Sequence, residues 1–218
     1  VSRPAVFAHR GGHDGPPNTV EAIRRAIQAG ADGVEIDVQL ASGDVLVARH
    51  DPEPNLVDET HVHLAEILTV VEHAGIRLLI DFKSNGDPDR EAVILTSALA
   101  AAARPELIDV SSFSIPFLER FQELAPGFPL YPIISLRQNF PRPKDLERWS
   151  GASVLAAALM VNPFLLRGLR RNNGSLLVWF GVTEWGFLIR ALRRLDADAV
   201  IVGRVAPTVT LLRGTRRS

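Results

Sequence analysis

Eight short β-like runs separated by longer helical patterns predict an α/β chain folded as a (β/α)8 barrel. Two further observations narrow the choice. The first strand is not followed by a Gly-x-Gly-x-x-Gly turn, which argues against a doubly wound dinucleotide-binding sheet. At 218 residues the chain can bury one good core but is short for two domains, and no linker, low-complexity tract or repeat divides it. Residues 1–218 therefore read as a single domain.

The strand candidates are Ala5–His9, Gly33–Gln39, Arg77–Lys83, Leu107–Ser111, Pro129–Ile134, Ala152–Ala158, Ser175–Phe180 and Asp198–Val202. Helical patterns lie between them near Thr19–Ala29, Leu64–His73, Asp87–Ala103, Ile115–Leu124, Asn162–Arg171 and Glu184–Leu195, with a short closing segment after Pro207. Lys144–Trp149 gives the weakest helical signal. The first helix has clear punctuation. Asn18 or Thr19 can cap it, Val20, Ile23 and Ile27 form an apolar stripe, and Gly30 ends it.

Composition excludes several classes. Hydrophobic residues at 46% and charged residues at 22% are ordinary for a soluble globular domain. A formal net charge of −1 gives no bulk attraction to nucleic acid or anionic membranes. With no cysteine, disulfides, thiolate catalysis and Cys-based zinc sites are ruled out. The opening VSRPAVFAHRGG lacks the apolar stretch of a signal peptide. Runs such as Val154–Val161 fall short of the roughly 18–20 residues that span a bilayer. The expectation is a cytoplasmic protein without a transmembrane segment, although a start at Val1 rather than Met leaves room for a removed leader.

Residues two apart on a strand point to one side. In GVEIDVQL, Glu35 and Asp37 share a face while Val34, Ile36 and Val38 share the other. With the apolar face on the helices, both carboxylates enter the barrel near its mouth. Adjacent carboxylates repel unless a cation lies between them, and a hard divalent ion prefers such oxygen ligands. RLLIDFK repeats the pattern: Leu79, Asp81 and Lys83 face one way, Ile80 and Phe82 the other. Asp81 could supply a third oxygen, and Lys83 a positive charge for an anionic group. His9 ends the first strand and His50 ends the run Val45–His50. Barrel active sites use C-terminal strand ends, so these groups converge by topology, and histidine suits proton transfer near neutral pH. The remaining histidines read more plainly. His61 and His63 fall in a loop entering a helix, His73 at a helix end, and His13 in a Gly/Pro-rich loop where a substrate contact is the lesser reading.

At this point the chain resembles the glycerophosphodiester phosphodiesterase family. AHRGGHDGPPNTVEAIRRAIQAGADGVEIDVQLASGDVLVARHDP, residues 8–52, is similar to the family's opening signature. LLIDFK, IDVSSFSIPFL and LLVWFGVTEW…DADAVIVGR agree more loosely. The resemblance implies a TIM barrel holding one divalent cation, Mg2+ or Ca2+, on Glu35, Asp37 and Asp81. His9 and His50 would form the general acid–base pair, Arg10 and Lys83 would face the phosphate, and Trp179 would line the pocket. The implied substrate is a small phosphodiester, often attacked in the family by its own glycerol 2-hydroxyl.

This sequence departs from the family pattern in four places. Pro17 stands where Glu usually precedes Asn-Thr, and Asp81 replaces the usual Glu. The stretch from His50 to Asp81 is short, so the inserted subdomain is reduced or absent. Val202-Gly203 replaces a polar pair before Arg204. Asp81-Phe82-Lys83 resembles the arrangement in phospholipase D toxins of the sphingomyelinase D type, whose disulfides this chain cannot form. The leading expectation is a metal-dependent phosphodiesterase for glycerophosphodiesters or lysophospholipid-like diesters. Its alternatives are a lyase releasing a cyclic phosphate and a non-catalytic phosphate- or lipid-binding barrel. An open mouth would need an apolar wall from residues such as Phe113, Phe180 and Trp185.

Overall fold

A computed structural model describes residues 3–51, 61–136, 143–162, 169, 173–180 and 196–213. It contains strands β1 (Ala5–His9), β2 (Gly33–Ala41), β3 (Val45–Ala48), β4 (Arg77–Phe82), β5 (Ile108–Ser112), β6 (Leu130–Ile134), β7 (Gly151–Leu155), β8 (Ser175–Trp179) and β9 (Ala199–Val202). The helices are α1 (Val20–Gln28), α2 (Leu64–Ala74), α3 (Pro88–Leu99), α4 (Ile115–Leu124), α5 (Ala156–Val161) and α6 (Val205–Arg213). Eight strands form a parallel ring in the order β1-β2-β4-β5-β6-β7-β8-β9, and β1 closes it by pairing with both β2 and β9. This is a (β/α)8 barrel. β3 lies outside the ring, antiparallel to β2, and its register Val38↔Ala48 directs the chain toward the mouth.

Strand parity produces two cores. The outward set includes Val6, Ala8, Val34, Ile36, Val38, Leu78, Ile80 and Phe82, which pack under the helices. Burying a side chain the size of Ile36 stabilises by about 1.5–3 kcal/mol. Phe82 stacks on Phe117 of α4 with centroids 4.2 Å apart, and Phe117 in turn meets Phe121. The inward set is a separate cluster of Phe7, Leu79, Tyr131, Leu177, Ala199 and Ile201 that fills the barrel.

Local chemistry sets the helix starts. Thr19, not Asn18, caps α1, its Oγ1 accepting from the Ala22 amide at 3.2 Å. α1 buries Ala22, Ile23 and Ala26, whereas Val20 and Ile27 are only half-buried, so the stripe is shifted from the expected one. Asp87 caps α3, which ends at Leu99 rather than Ala103, and Ser114 caps α4. Gly75, at φ 67°, closes α2. Two expectations need correcting. The run Ala152–Ala158 is a strand only to Leu155; from Ala156 the sequence AAALMV turns into α5, because Ala and Leu favour helix once the ladder ends. The closing helix starts at Val205, before Pro207, which sits in the first turn where no amide is needed. Lys144–Trp149 contributes only a short 3-10 turn, Pro143–Leu146. The expected helices Asn162–Arg171 and Glu184–Leu195 lie almost wholly outside the described residues. Among the described residues, no helix is long and apolar enough to cross a membrane.

Candidate active site

The C-terminal ends of the strands surround a cavity of about 460 Å³. All eight residues singled out in the sequence line it: His9, Arg10, Glu35, Asp37, His50, Asp81, Lys83 and Trp179. The β2–β4 register sets Asp37 directly beside Asp81, and His9 lies beside Glu35 on β1. Glu35, Asp37 and Asp81 each offer an oxygen within 4.8 Å of the others, in a group that could hold a metal ion.

Asp37 is the most heavily coordinated of the three. Lys83 Nζ lies 2.8 Å from its Oδ1, and Arg10 Nε lies 2.9 Å from its Oδ2. Asn18 Nδ2 donates to Oδ2 at 3.0 Å, and Asn18 Oδ1 accepts from the Asp37 amide at 3.1 Å. Lys83 also donates to Asp81 Oδ2. Glu35 Oε2 accepts from the Arg10 amide at 2.9 Å and lies 3.9 Å from His9 Nε2. Three carboxylates thus meet two cations, Lys83 and Arg10.

The electrostatic consequences follow from burial and that imbalance. Burial, then the Asp37 and Asp81 charges, push the Glu35 carboxyl well above the usual carboxylate range. Burial also lifts Asp81 to about 6, with Lys83 opposing and Asp37 reinforcing. At Asp37 burial pulls the same way, yet Lys83, Arg10 and Asn18 together overcome it and hold the carboxyl low. Desolvation works against the Lys83 ammonium, but Asp81 and Asp37 raise its pKa. Desolvation and the Arg10 charge lower His9 to about 4, which keeps it neutral at pH 7. Asp81 Oδ1 is buried with no hydrogen-bond partner, a costly condition for a carboxylate oxygen. An all-oxygen donor set with an orphaned oxygen and surplus negative charge fits a hard divalent cation.

The loop after β1 is shaped around this cluster. Arg10, at φ 55°, and Asn18, at φ 60°, are both left-handed, and the Asn18 amide donates to the Arg10 carbonyl at 2.9 Å. Gly11, at φ 82°, has no room for a side chain because a Cβ would lie 2.7 Å from that of Ala22. Asn18 is the site residue that sequence reasoning undervalued. The sequence offers it as a helix cap, but its buried amide clamps Asp37, and its place inside the opening motif is the signal for that role.

His50 lines the cavity from beyond β3, its Nδ1 2.7 Å from Asp51 Oδ1. The other histidines stay out of the cavity lining. His61 meets Arg49 at 2.8 Å, and the His63 amide donates to Glu66 Oε1 at 3.1 Å at the start of α2. His13 packs against Gly203, where a Cβ would run into its imidazole, and its amide donates to the Gly203 carbonyl at 2.9 Å. The glycine that departs from the family pattern therefore makes room for His13. Of the expected apolar wall, Phe113 lines the cavity, but Phe180 is buried in the outer core and does not. Trp185 lies outside the described residues. Leu79, on the face shared with Asp81 and Lys83, also lines the cavity, as do Ile133, Leu155 and Ile201 from inward positions of β6, β7 and β9 and Leu136 from just beyond β6.

Fold and site together define a (β/α)8 barrel with an acidic cluster that could hold a cation and two histidines at its mouth. Residues 9–73 match the model of the glycerophosphoryl diester phosphodiesterase family. The human glycerophosphodiester phosphodiesterase 1 is 33% identical over 139 residues, covering 58% of this chain and 40% of that protein. The chain thus spans less than half the length of this curated relative. A glycerophosphodiester phosphodiesterase from Parabacteroides distasonis superposes with a TM-score of 0.86 at 21% identity, covering 97% of both chains. A phosphodiesterase from Oleispira antarctica, solved with the product sn-glycerol-3-phosphate, gives 0.80 at 20% identity over 97% of this chain and 98% of its own. Over residues 9–73 the chain is thus similar to the glycerophosphoryl diester phosphodiesterase family, and its barrel fold is shared with the solved structures.

Proposed function

We propose that residues 1–218 form a single barrel domain that hydrolyses glycerophosphodiesters to a phosphomonoester and an alcohol, using one divalent cation, Mg2+ or Ca2+. The observation that carries this reading is the buried Glu35–Asp37–Asp81 cluster with its unpartnered Asp81 Oδ1, flanked by His9 and His50 in one cavity. Glu35, Asp37 and Asp81 would hold the cation. When bound it supplies positive charge to the phosphoryl oxygens. The chain's own groups do the rest. Lys83 and Arg10 add fixed positive charge against the same oxygens, already preorganised on Asp37. Between them, His9 and His50 take the proton of the attacking hydroxyl and give one to the departing alcohol oxygen as the phosphorus–oxygen bond breaks. Asp51 orients the His50 imidazole through Nδ1.

The attacking hydroxyl can be water or a neighbouring hydroxyl of the substrate, where proximity favours a cyclic phosphate as the first product. Running the reaction in oxygen-18 water separates the two end points, because a terminal cyclic product carries no solvent oxygen. Phe113 and Leu136, exposed at the rim at 39% and 49%, support a further reading in which a lysophospholipid's acyl chain leaves the cavity over them. Comparing kcat/KM for glycerophosphocholine and lysophosphatidylcholine tests it, and cleavage of the deacylated diester alone rejects it.

The main test is turnover of glycerophosphocholine and glycerophosphoglycerol with Mg2+, with Ca2+ and with EDTA. Metal-dependent release of glycerol phosphate is expected. Full activity in EDTA would end the metal-based reading, and no turnover of any diester would favour a binding barrel.

A further inference from the structure

The ring order sets β7 and β8 diametrically across the barrel from β2 and β4, so Ser153, Leu155 and Trp179 face the acidic cluster through the cavity. This far wall is mostly hydrocarbon, from Ile133, Leu155 and Ile201. Trp179, Ser153 and Ser135 interrupt it, and Ser135 already has a partner of its own. Trp179 Nε1 is buried and has no hydrogen-bond partner. Ser153, only 3% exposed, presents its hydroxyl from the neighbouring strand one pleat below Trp179, since Leu155 pairs with Trp179 and Ser153 with Leu177. Ser111, which also lines the cavity, differs: its hydroxyl already donates to the Ile80 carbonyl at 3.2 Å. A buried indole N–H without an acceptor is costly, and an apolar wall offers it no relief from the protein.

We infer that Trp179 Nε1 and Ser153 Oγ form a specificity subsite that accepts an oxygen-bearing alcohol arm of the phosphodiester, selecting polyol alcohols over choline. The inference rests on the proposed phosphodiesterase reading. His9 and His50 both stand on the β1–β3 side, so the arm whose hydroxyl attacks stays beside the acids. The other arm, beyond the phosphate, extends toward β7 and β8. A hydroxyl there would accept from the indole N–H and exchange a hydrogen bond with Ser153. The trimethylammonium of choline offers no acceptor, leaving both groups unpaired.

The test is the ratio of kcat/KM for glycerophosphoglycerol to that for glycerophosphocholine in wild type, Trp179→Phe and Ser153→Ala. Packing losses common to both substrates cancel in this ratio. One hydrogen bond is worth about 0.5–1.5 kcal/mol, so each variant should lower the ratio by about 2–10-fold, mainly through KM. An unchanged ratio, or one that rises, overturns the subsite. A readout independent of turnover keeps the inference separable from the phosphodiesterase reading. In ¹⁵N-labelled protein, with His50→Ala used where wild type turns the ligand over, the indole resonance missing from Trp179→Phe should move on adding glycerophosphoglycerol and not on adding glycerophosphocholine. If it moves without any diester being cleaved, the subsite stands and the hydrolase reading falls. If glycerophosphocholine moves it equally or more, the indole serves as an aromatic platform for the ammonium and the inference is wrong.

Discussion

The two ends of the barrel interior each bury acidic groups, and they are built differently. At the floor, Asp109 near the start of β5 is 2% exposed and is held by Arg77 from the start of β4. Arg77 also lies 5.5 Å over the Phe7 ring, and Tyr131 shares hydrogen bonds with Arg77 and Ser175. One carboxylate meets one guanidinium, and the group is complete. At the mouth, three carboxylates share Lys83 and Arg10, and one buried oxygen stays unpartnered. The difference is that of a plug and a socket: the floor is satisfied within the chain, whereas the mouth carries charge that an outside cation and an anionic substrate would balance.

Exchanging a carboxylate for its amide at each end should break the symmetry most sharply. Asp37→Asn removes the group that organises Lys83, Arg10 and Asn18, and turnover should fall to background. Asp109→Asn should leave kcat/KM within about threefold, because no floor residue lines the cavity. Comparable losses in both would remove the distinction between plug and socket.

A second comparison lies within the mouth. Truncating a positioned acid or base typically costs about 10²–10⁴-fold in rate. His9→Ala and His50→Ala should each fall in that range by steady-state kinetics, whereas His13→Ala, outside the cavity lining, should not. A near-normal kcat in His50→Ala would remove His50 from the mechanism.

The floor can be sharpened by pH. Burial lifts Asp109 to about 6 despite Arg77, above its unfolded value near 3.8. The folded state therefore holds this proton more tightly than the unfolded one. Its contribution to stability is fully present below about pH 4 and is lost as pH rises through about 6. A shift of that size corresponds to about 3 kcal/mol. Denaturant melts from pH 4 to 7 should show this downward component in wild type, and subtracting the Asp109→Asn profile isolates it. Parallel profiles would mean that Arg77 keeps Asp109 ionised throughout.

The smallest effect expected is on metal-linked stability. A cation that binds only the folded state adds about 2.7 kcal/mol at a hundredfold excess over its Kd. Mg2+ or Ca2+ should raise the wild-type Tm, and Asp81→Asn should abolish the rise while Asp109→Asn preserves it. A rise retained in Asp81→Asn would place the ion elsewhere.

Much of this was legible in the chain because period-two alternation is a local property. Glu35 and Asp37 must share a face opposite Val34, Ile36 and Val38, and Asp81 and Lys83 must share one opposite Phe82, whatever the strands later pack against. Thr19, Asp87 and Ser114 likewise start their helices through bonds to amides two or three residues on. Only the tertiary structure decided what those faces meet. That Lys83 joins Asp37 to Asp81, that Asn18 clamps Asp37 from the loop before α1, and that Trp179 and Ser153 oppose the acids all depend on closure of the ring. So does the turn to helix at Ala156, where an apolar run reads alike as buried strand or buried helix until the β7 ladder ends. The physical reason is range: side-chain direction is set by the neighbouring peptide units, whereas partners across a barrel are set by strand order and register, which no local stretch encodes.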